Sequence, residues 1–347
     1  MSFTYLPLLP LLKAFGHLSD LDMINLSFCS RRTAQLVNTS KRFTGTSRIF
    51  YKSHDDIHKI SVQTFKVYDM SMFTICLAPS WKRELLPSRF IGGTNVQETV
   101  SFRGFAMNSF KREGWDQEQF SAIFYNTMED FLLLHEALTE HFLDLHVTPD
   151  VDPPELTLTV APSDILTYPF LKNWKKWDMV TITEYCGCSE NYVSDEMGFL
   201  LNDSEYTDDL ELYIDVEKGF EYSEGFQLES IHFCHSSWIK MDSIINSTSQ
   251  SLILQKFPRA TASQLINILK LWIAKEKMVN LEFLRLESDL DFDWNLIGFE
   301  ERLREIWQGI GFPTLGEATK GEILRVDGVR AEVDMRYPNF TLCVVNE

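Results

Sequence analysis

The first 37 residues constrain the fold of this chain more than any other stretch of its sequence. Apolar side chains recur there at steps of three and four residues, which is the spacing of one helical face. The pattern predicts a helix over residues 8–18, a second from the Ser19–Asp20 cap to Leu26, and a third from Ser27 or Ser30 to Val37. A unit of about 40 residues buries too little surface to be stable alone, so its leucines must pack on the rest of the chain or on another protein.

The same segment has to be compared with a secretion signal. No Lys or Arg precedes the apolar run, Pro7 and Pro10 interrupt it, and Lys13 ends it. A signal peptide needs a positive start and an unbroken apolar stretch, so we expect the segment to be retained. The six cysteines lack the spacing of a disulfide framework and predict free thiols in a reducing compartment.

Composition limits the classes of partner. The 347 residues carry a formal net charge of −18, and 44% of them are hydrophobic, which suffices for a sizeable core in two or three domains. Nucleic-acid binding requires Lys and Arg patches, so the negative charge argues against such a partner. No window has the roughly 18 uninterrupted apolar residues of a membrane span. We therefore expect neither nucleic acid nor a membrane as a partner.

Acidic residues are concentrated in the middle of the chain. The segment Glu184–Glu229 holds fourteen Asp and Glu residues and a single Lys. Such a run is typical of a solvated face, but it also fits a surface that selects a basic partner. Both interpretations stay open from the sequence.

After the N-terminal helices the sequence predicts a β-rich segment and then an alternation of strands and helices. Residues 43–125 contain the strand-like runs "HKISVQTFKVY", "MFTICLA" and "TVSFRGFAM", separated by turn residues. Helices are predicted at Thr127–Phe142, Pro162–Trp177 and Ala262–Lys277. Short strands are predicted at Leu145–Val147, Met179–Thr183, Leu210–Val216, Leu228–Phe233, Leu252–Phe257 and Leu281–Glu287.

The alternating part, about residues 143–310, fits two architectures. Its strand starts lie roughly 20–35 residues apart, and "LESIHF" and "LEFLRLE" share a rhythm typical of an irregular leucine-rich-repeat solenoid. An ordinary α/β sheet has similar crossover lengths, and both architectures predict right-handed crossovers. Asp327-Gly328 predicts a type I′ hairpin at about residues 321–336. The fold class is therefore α+β or α/β.

Three short motifs approach known chemistry without completing it. "HEALTEH" (135–141) has Thr139 where a zinc-protease motif requires the second His, and "GFPTLGEA" (311–318) has Glu317 where a phosphate loop requires Lys. "CGC" (186–188) and "HFCH" (232–235) lack the second Cys pair of a zinc site. The sequence therefore predicts no metal, no cofactor and no catalytic residue, and it favours a protein that is not an enzyme.

The opening stretch resembles the F-box. The resemblance is ungapped and includes the Leu-Pro start, the spaced apolar positions, an Asp before the second helix and an apolar–Cys–basic–basic close. The matching positions are Leu6, Pro7, Leu11, Phe15, Leu18, Asp20, Met23, Leu26, Cys29, Arg31 and Arg32. Ala14, Ser30 and Thr33 depart from the pattern, because the family usually has Ile or Val, Cys and Trp at these positions.

Later motifs extend the resemblance over most of the chain. "INLSFCSRRT" is similar to the large nematode family of F-box proteins, whose members carry a type 2 F-box-associated domain after the box. "LILQKF", "LINILKLWI", "LEFLRLE" and "GEILRVDGVRAEV" follow in the order of that domain. The resemblance implies a small three-helix F-box over residues 1–42 and an F-box-associated substrate-recognition region over residues 43–347.

The resemblance implies a function in ubiquitination. An F-box docks on the Skp-type adaptor of a cullin–RING ubiquitin ligase, and the remainder of the chain recruits a target protein, so the chain contributes proximity and no chemistry. It also implies a cytoplasmic or nuclear location, or both. An alternative of another class is a solenoid-like protein-binding module without ligase coupling. The adaptor-binding residues are expected to be Leu6, Pro7, Leu11, Phe15, Leu18 and Leu26.

Overall fold

The computed structural model divides the chain into two compact units. The first comprises residues 1–161 and 168–178, and the second comprises residues 162–167 and 179–347. The structure describes residues 18, 20–39, 47–54, 57–66, 69–80, 98–111, 118–146, 155–160, 177–184, 192, 194–202, 207–258, 260–288, 320–334 and 339–345. The predicted domain boundaries at residues 42 and 43 are not tested by this division and stay predictions.

The first unit combines three described helices with a mixed sheet. Its helices are α1 (Asp20–Cys29), α2 (Arg31–Thr39) and α3 (Met128–His146). Its strands are β1 (Ser47–His54), β2 (Ile57–Lys66), β3 (Asp69–Pro79), β4 (Glu98–Phe102), β5 (Phe105–Lys111), β6 (Glu118–Tyr125) and β7 (Glu155–Val160). The strand order is β7-β1-β2-β3-β6-β5-β4. The pairs β1–β7 and β3–β6 are parallel, and the other pairs are antiparallel.

The β-rich character predicted for residues 43–125 is confirmed, but one predicted run is a hairpin. "TVSFRGFAM" contains β4, β5 and a two-residue turn at Arg103 and Gly104, with Phe102 paired to Phe105. Both turn residues have positive φ, 51° and 88°. Two positive φ values are the mark of a type I′ turn, whose twist matches that of the flanking strands.

Helix α3 confirms the helix predicted from Thr127 and continues four residues beyond Phe142. Its start is fixed by a reciprocal cap, in which the Asp130 N–H donates to Thr127 Oγ1 at 3.1 Å and the Thr127 N–H donates to Asp130 Oδ2 at 3.2 Å. The strand predicted at Leu145–Val147 is wrong, because residues 145 and 146 belong to this helix. The helix buries one face, formed by Phe131, Leu134, Leu138 and Phe142.

The second unit is also built on a mixed sheet. Its strands are β8 (Trp177–Glu184), β9 (Thr207–Tyr213), β10 (Ser230–Phe233), β11 (Ser251–Leu254), β12 (Phe283–Glu287), β13 (Lys320–Leu324), β14 (Arg330–Asp334) and β15 (Asn339–Val344). Residues of β8 from Met179 onward belong to this unit. Its helices are α4 (Ser194–Asn202), α5 (Met241–Ile245) and α6 (Ala262–Ile273). The strand order is β13-β14-β15-β12-β11-β10-β9-β8.

Strands β9 to β12 pair in parallel and in chain order. Asp209 pairs with Ser230, Ser230 with Ser251, and Ser251 with Phe283, so the register advances by 21, 21 and 32 residues. Along each strand, buried side chains alternate with half-buried ones, as expected for a sheet with one covered face. The covered face holds Leu210, Leu212, Ile231, Phe233, Leu252, Leu254, Leu284 and Leu286.

The strands predicted in this unit are confirmed as β8 to β12, and helix α6 ends four residues before Lys277. The helix predicted at Pro162–Trp177 lies outside the described residues, except for Trp177, which begins β8. The fold class is α+β, with a large mixed sheet and few helices. No helix in the described ranges is long and apolar enough to cross a membrane.

The hairpin near the C-terminus has a different turn from the one predicted. Strands β13 and β14 are antiparallel, with Leu324 opposite Arg330. The Gly328 N–H donates to the Arg325 carbonyl at 2.9 Å, and Gly328, but not Asp327, has a positive φ, 91°. This is the pattern of a three-residue loop with a type I turn and a glycine bulge, and a type I′ turn would need positive φ at both central residues.

Candidate protein-interaction sites

The described part of the predicted adaptor-binding residues lies on α1 and just before it. Leu6, Pro7, Leu11 and Phe15 lie outside the described residues, so their assignment stays a prediction. Leu18 and Leu26 are described, and both are half-buried.

One face of α1 packs firmly on the rest of the first unit. Met23, Ile24 and Phe28 are each at most 3% exposed. The Phe28 ring lies in an aromatic cluster with Phe73, Phe102, His141 and Phe142, with ring centroids 4.4 to 5.7 Å apart. These partners come from β3, β4 and α3, so α1 is docked on both the sheet and the long helix.

A second face of α1 is open in the described part of the chain. Asp22 and Cys29 are exposed, and Leu26 lies between them at helical spacings of four and three residues. Because the buried face already holds α1 in place, Leu26 is a side chain that a partner can cover without unfolding the helix.

The side chain of Ser27 anchors α1 through a buried polar contact that the sequence does not reveal. Its Oγ donates to the Ile24 carbonyl at 2.5 Å and lies 2.8 Å from His141 Nε2. His141 is therefore a packing residue of the first unit. The other His of the zinc-like motif, His135, lies against Tyr51 and Phe131, so the two rings occupy separate places in the core.

Two of the departures from the F-box pattern form the cap of α2. The Thr33 N–H donates to Ser30 Oγ at 3.0 Å, and Thr33 Oγ1 donates to the Ser30 carbonyl at 3.0 Å. Ser30 immediately precedes the helix, so its hydroxyl satisfies one of the unpaired N–H groups of the first turn. The third departure, Ala14, lies outside the described residues.

On the half-buried face of the second unit, polar side chains of β8, β9 and β10 lie side by side. At the centre, the Glu211 carboxylate accepts from Thr181 Oγ1 at 3.3 Å and lies 3.6 Å from His232 Nδ1. The His232 side chain lowers the pKa of Glu211 despite the opposing effect of burial. Glu211 is therefore ionised at neutral pH and gives this face a fixed negative charge.

The "HFCH" motif has separate partners for its two rings. His235 contacts Asp215 through Nδ1, and Lys256 Nζ donates to His235 Nε2 at 2.8 Å. Burial is the main cause that raises the pKa of the Cys234 thiol, which keeps it protonated and a poor metal ligand.

Neither of the remaining near-motifs gains support from the geometry. Cys186, Cys188 and the glycine loop at 311–318 lie outside the described residues. Within the part of the chain that the structure describes, no group of three or more His, Cys, Asp or Glu side chains could hold a metal ion.

Two protein-family models match segments of this chain. A family model for the F-box domain matches residues 3–44, the segment that contains α1 and α2. A second model, described as F-box associated, matches residues 225–286, which contain β10 to β12, α5 and α6. The chain therefore contains an F-box followed by a type 2 F-box-associated domain, as the resemblance of its sequence implies.

The two domains define a general function. F-box domains generally bind a Skp-type adaptor and through it a cullin–RING ligase, and this pair of domains indicates a substrate-recognition adaptor that is generally non-catalytic. Searches of curated proteins and of solved structures return no match.

Proposed function

We propose that this chain is the substrate-recognition subunit of a Skp–cullin–F-box ubiquitin ligase and recruits one target protein for ubiquitination. The observation that carries the proposal is the F-box match at residues 3–44, followed by the F-box-associated match at residues 225–286. The docked helix α1 supports it, because it presents half-buried Leu26 beside exposed Asp22 and Cys29.

The adaptor face is proposed to consist of six apolar residues. Each apolar side chain that becomes buried contributes roughly 1.5–3 kcal/mol of gross binding free energy. Six of them give about 9–18 kcal/mol and association costs roughly 4–15 kcal/mol, so these contacts alone span weak to tight binding. The set comprises Leu6, Pro7, Leu11, Phe15, Leu18 and Leu26.

Capture of a purified Skp-type adaptor tests this proposal. The double variant Leu6→Ala/Pro7→Ala should lose capture. A matched control is Leu132→Ala/Leu133→Ala, which removes two exposed leucines of α3, 40% and 55% exposed, outside the F-box. Undiminished capture by the first variant would overturn the assignment, and target binding without any adaptor capture would favour a binding module without ligase coupling.

We also propose that residues 207–288 form an irregular leucine-rich-repeat-like array. In-order parallel strands and the register steps of 21, 21 and 32 residues support it. A crystal structure of the full chain tests it: a rotation in the same sense from each strand–connection unit to the next is expected, and its absence would assign an ordinary α/β sheet.

The target is proposed to carry a basic segment. Residues 207–258 support this, because they hold nine Asp and Glu residues, three Lys and no Arg.

The location of the chain is proposed to be the cytoplasm, the nucleus or both. Imaging of the tagged full chain tests this location, and accumulation in a secretory compartment would contradict it.

A further inference from the structure

A cavity of about 310 Å³ lies in the second unit beside the turn of the β13–β14 hairpin. Polar and apolar residues line it in equal number, so it offers a ligand both hydrogen-bonding groups and apolar contacts. The lining residues are Gln250, Val279, Asn280, Leu281, Glu282, Arg325, Val329 and Val344. One of the apolar lining residues faces solvent, because Val279 is 43% exposed.

The cavity contains one nearly buried cation. The Arg325 side chain is 10% exposed, and three contacts hold its guanidinium in place. Nε donates to Asp327 Oδ1 at 2.8 Å, Nη1 donates to the Val279 carbonyl at 2.9 Å, and Cζ lies 5.1 Å from the centre of the Trp272 ring. The Trp272 ring is itself fully buried, so the guanidinium is fixed before any ligand arrives.

The third nitrogen of this guanidinium has no partner among the described residues. The contacts of Arg325 involve Nε, Nη1 and the ring-stacked carbon, which leaves the two N–H groups of Nη2 without an acceptor. Nη2 is not sealed off in the core either, so an acceptor entering the cavity can reach it. A guanidinium prefers planar oxygen anions, which it binds with charge-assisted hydrogen bonds.

The remaining charge in the cavity selects the type of anion. Glu282 lines the same cavity and disfavours a doubly charged phosphate, whereas a carboxylate carries one charge. A chain end presents its carboxylate on the same Cα as its last side chain, so it can satisfy a donor and an apolar wall within a small volume. An internal Asp or Glu would have to bring two flanking chains past the rim.

We propose that this cavity binds the C-terminal carboxylate of a partner polypeptide, with Arg325 as the hydrogen-bond donor to the carboxylate and the side chains of Val279, Val329 and Val344 around the last side chain. That this polypeptide is a ligase target rests on the proposed function; the binding itself does not.

Fluorescence polarisation with the purified full chain tests the proposal. The probes are fluorescein-labelled octapeptides that end in Val, Leu or Phe, each made with a free C-terminal carboxylate and as the C-terminal amide. At least one free acid should bind about tenfold or more tightly than its amide, as expected for a lost charge-assisted hydrogen bond. Equal binding of every acid and amide pair would overturn the proposal. A further probe is an octapeptide amide with an internal Glu. If it bound as tightly as the best free acid, the proposal would also be overturned, because a side-chain carboxylate would then suffice.

Variants separate this site from a general loss of structure. Arg325→Gln should abolish the preference for the acid, and Val279→Trp should fill the cavity from its exposed rim while its carbonyl still accepts from Arg325. Arg330→Gln, at an exposed position outside the cavity, should bind like the wild type. Retained binding by a folded Val279→Trp chain would contradict the proposal.

The Leu6→Ala/Pro7→Ala variant should bind the peptides like the wild type, because adaptor docking is not involved. A wild-type chain that binds the acids but captures no adaptor would overturn the proposed function and leave this inference standing.

Discussion

At the scale of single residues, Phe28 and Leu26 illustrate how neighbours on one short helix take different roles. Phe28 is 3% exposed within a cluster of rings, whereas Leu26 is half-buried on the face shared with Asp22 and Cys29. The sequence predicts that α1 is amphipathic, but it cannot tell which apolar residue meets the rest of the chain. That choice depends on β3, β4 and α3, which are distant in sequence.

Replacing Phe28 by Ala should lower the free energy of unfolding of the first unit by about 3–5 kcal/mol, because a buried ring leaves a cavity. Urea unfolding followed by fluorescence measures it. Leu26→Ala is the matched control, and we expect it to change stability little and to weaken adaptor capture. A Phe28→Ala chain as stable as the wild type would show that the ring cluster does not hold α1.

Asp327 makes a pH-dependent contribution to stability. Hydrogen bonds from Arg325 and Lys275 hold the pKa of this carboxyl well below its usual range. A carboxyl whose pKa is lower in the folded chain stabilises it above the unfolded pKa of about 3.9, and that stabilisation is lost as the pH falls through the folded pKa. The stability difference between the wild type and Asp327→Asn should therefore be constant from about pH 7 to pH 5 and shrink below about pH 4. Thermal unfolding midpoints across this range measure it, and a difference that grows on acidification would contradict the assignment.

Ser30 and Thr33 also belong to the residue scale. In the sequence these two residues depart from the family pattern, and in the structure they form the cap of α2. The sequence leaves the start of this helix open between Ser27 and Ser30, and the structure places its cap at Ser30.

At the scale of elements, the sequence predicts best where the period of apolar residues is regular. Strands β10 to β12 alternate strictly, and helix α6 buries residues at helical spacing, so these elements are found within a few residues of their bounds. The turn at Arg103-Gly104 is missed, since Arg rarely accepts the positive φ that a type I′ turn needs. The end of α3 is missed because its last turn has the alternation of a strand.

Helix α6 begins with a capping box that should be measurable. The Gln264 N–H donates to Thr261 Oγ1 at 3.3 Å, and the Thr261 N–H donates to Gln264 Oε1 at 2.8 Å. Thr261→Ala should lower the free energy of unfolding by about 0.5–2 kcal/mol, whereas Thr261→Ser should keep most of it. Equal losses in both variants, measured by denaturant unfolding, would show that the hydroxyl is not the stabilising group.

At the scale of the whole molecule, charge is the property that the sequence establishes without a structure. The net charge of −18 and the acidic segment can be counted from the sequence, but the sequence does not give the positions of these charges on the surface. Even the structure gives only part of the candidate site, because four of the six proposed adaptor-binding residues lie outside the described ranges.

The binding of a basic target to this chain should weaken as the salt concentration rises. Between about 50 mM and about 500 mM salt, the affinity of the captured target should fall markedly, because exposed charges are screened over a few ångströms at high ionic strength. The triple variant Glu217→Gln/Glu221→Gln/Glu224→Gln removes three exposed carboxylates and should show a shallower dependence. Affinity that does not respond to salt would argue against electrostatic recognition.

The strands of the two units imply different orders of assembly as the chain is synthesised. In the second unit, β10 and β11 each pair with a strand about 20 residues earlier, so every pairing closes a short loop soon after the new strand appears. In the first unit, Arg48 of β1 pairs with Glu155 of β7, 107 residues later. The pairing of β1 with β7 in the first unit therefore requires the closure of a long loop. The parallel strands of the second unit can add one by one, which favours faster folding of these strands.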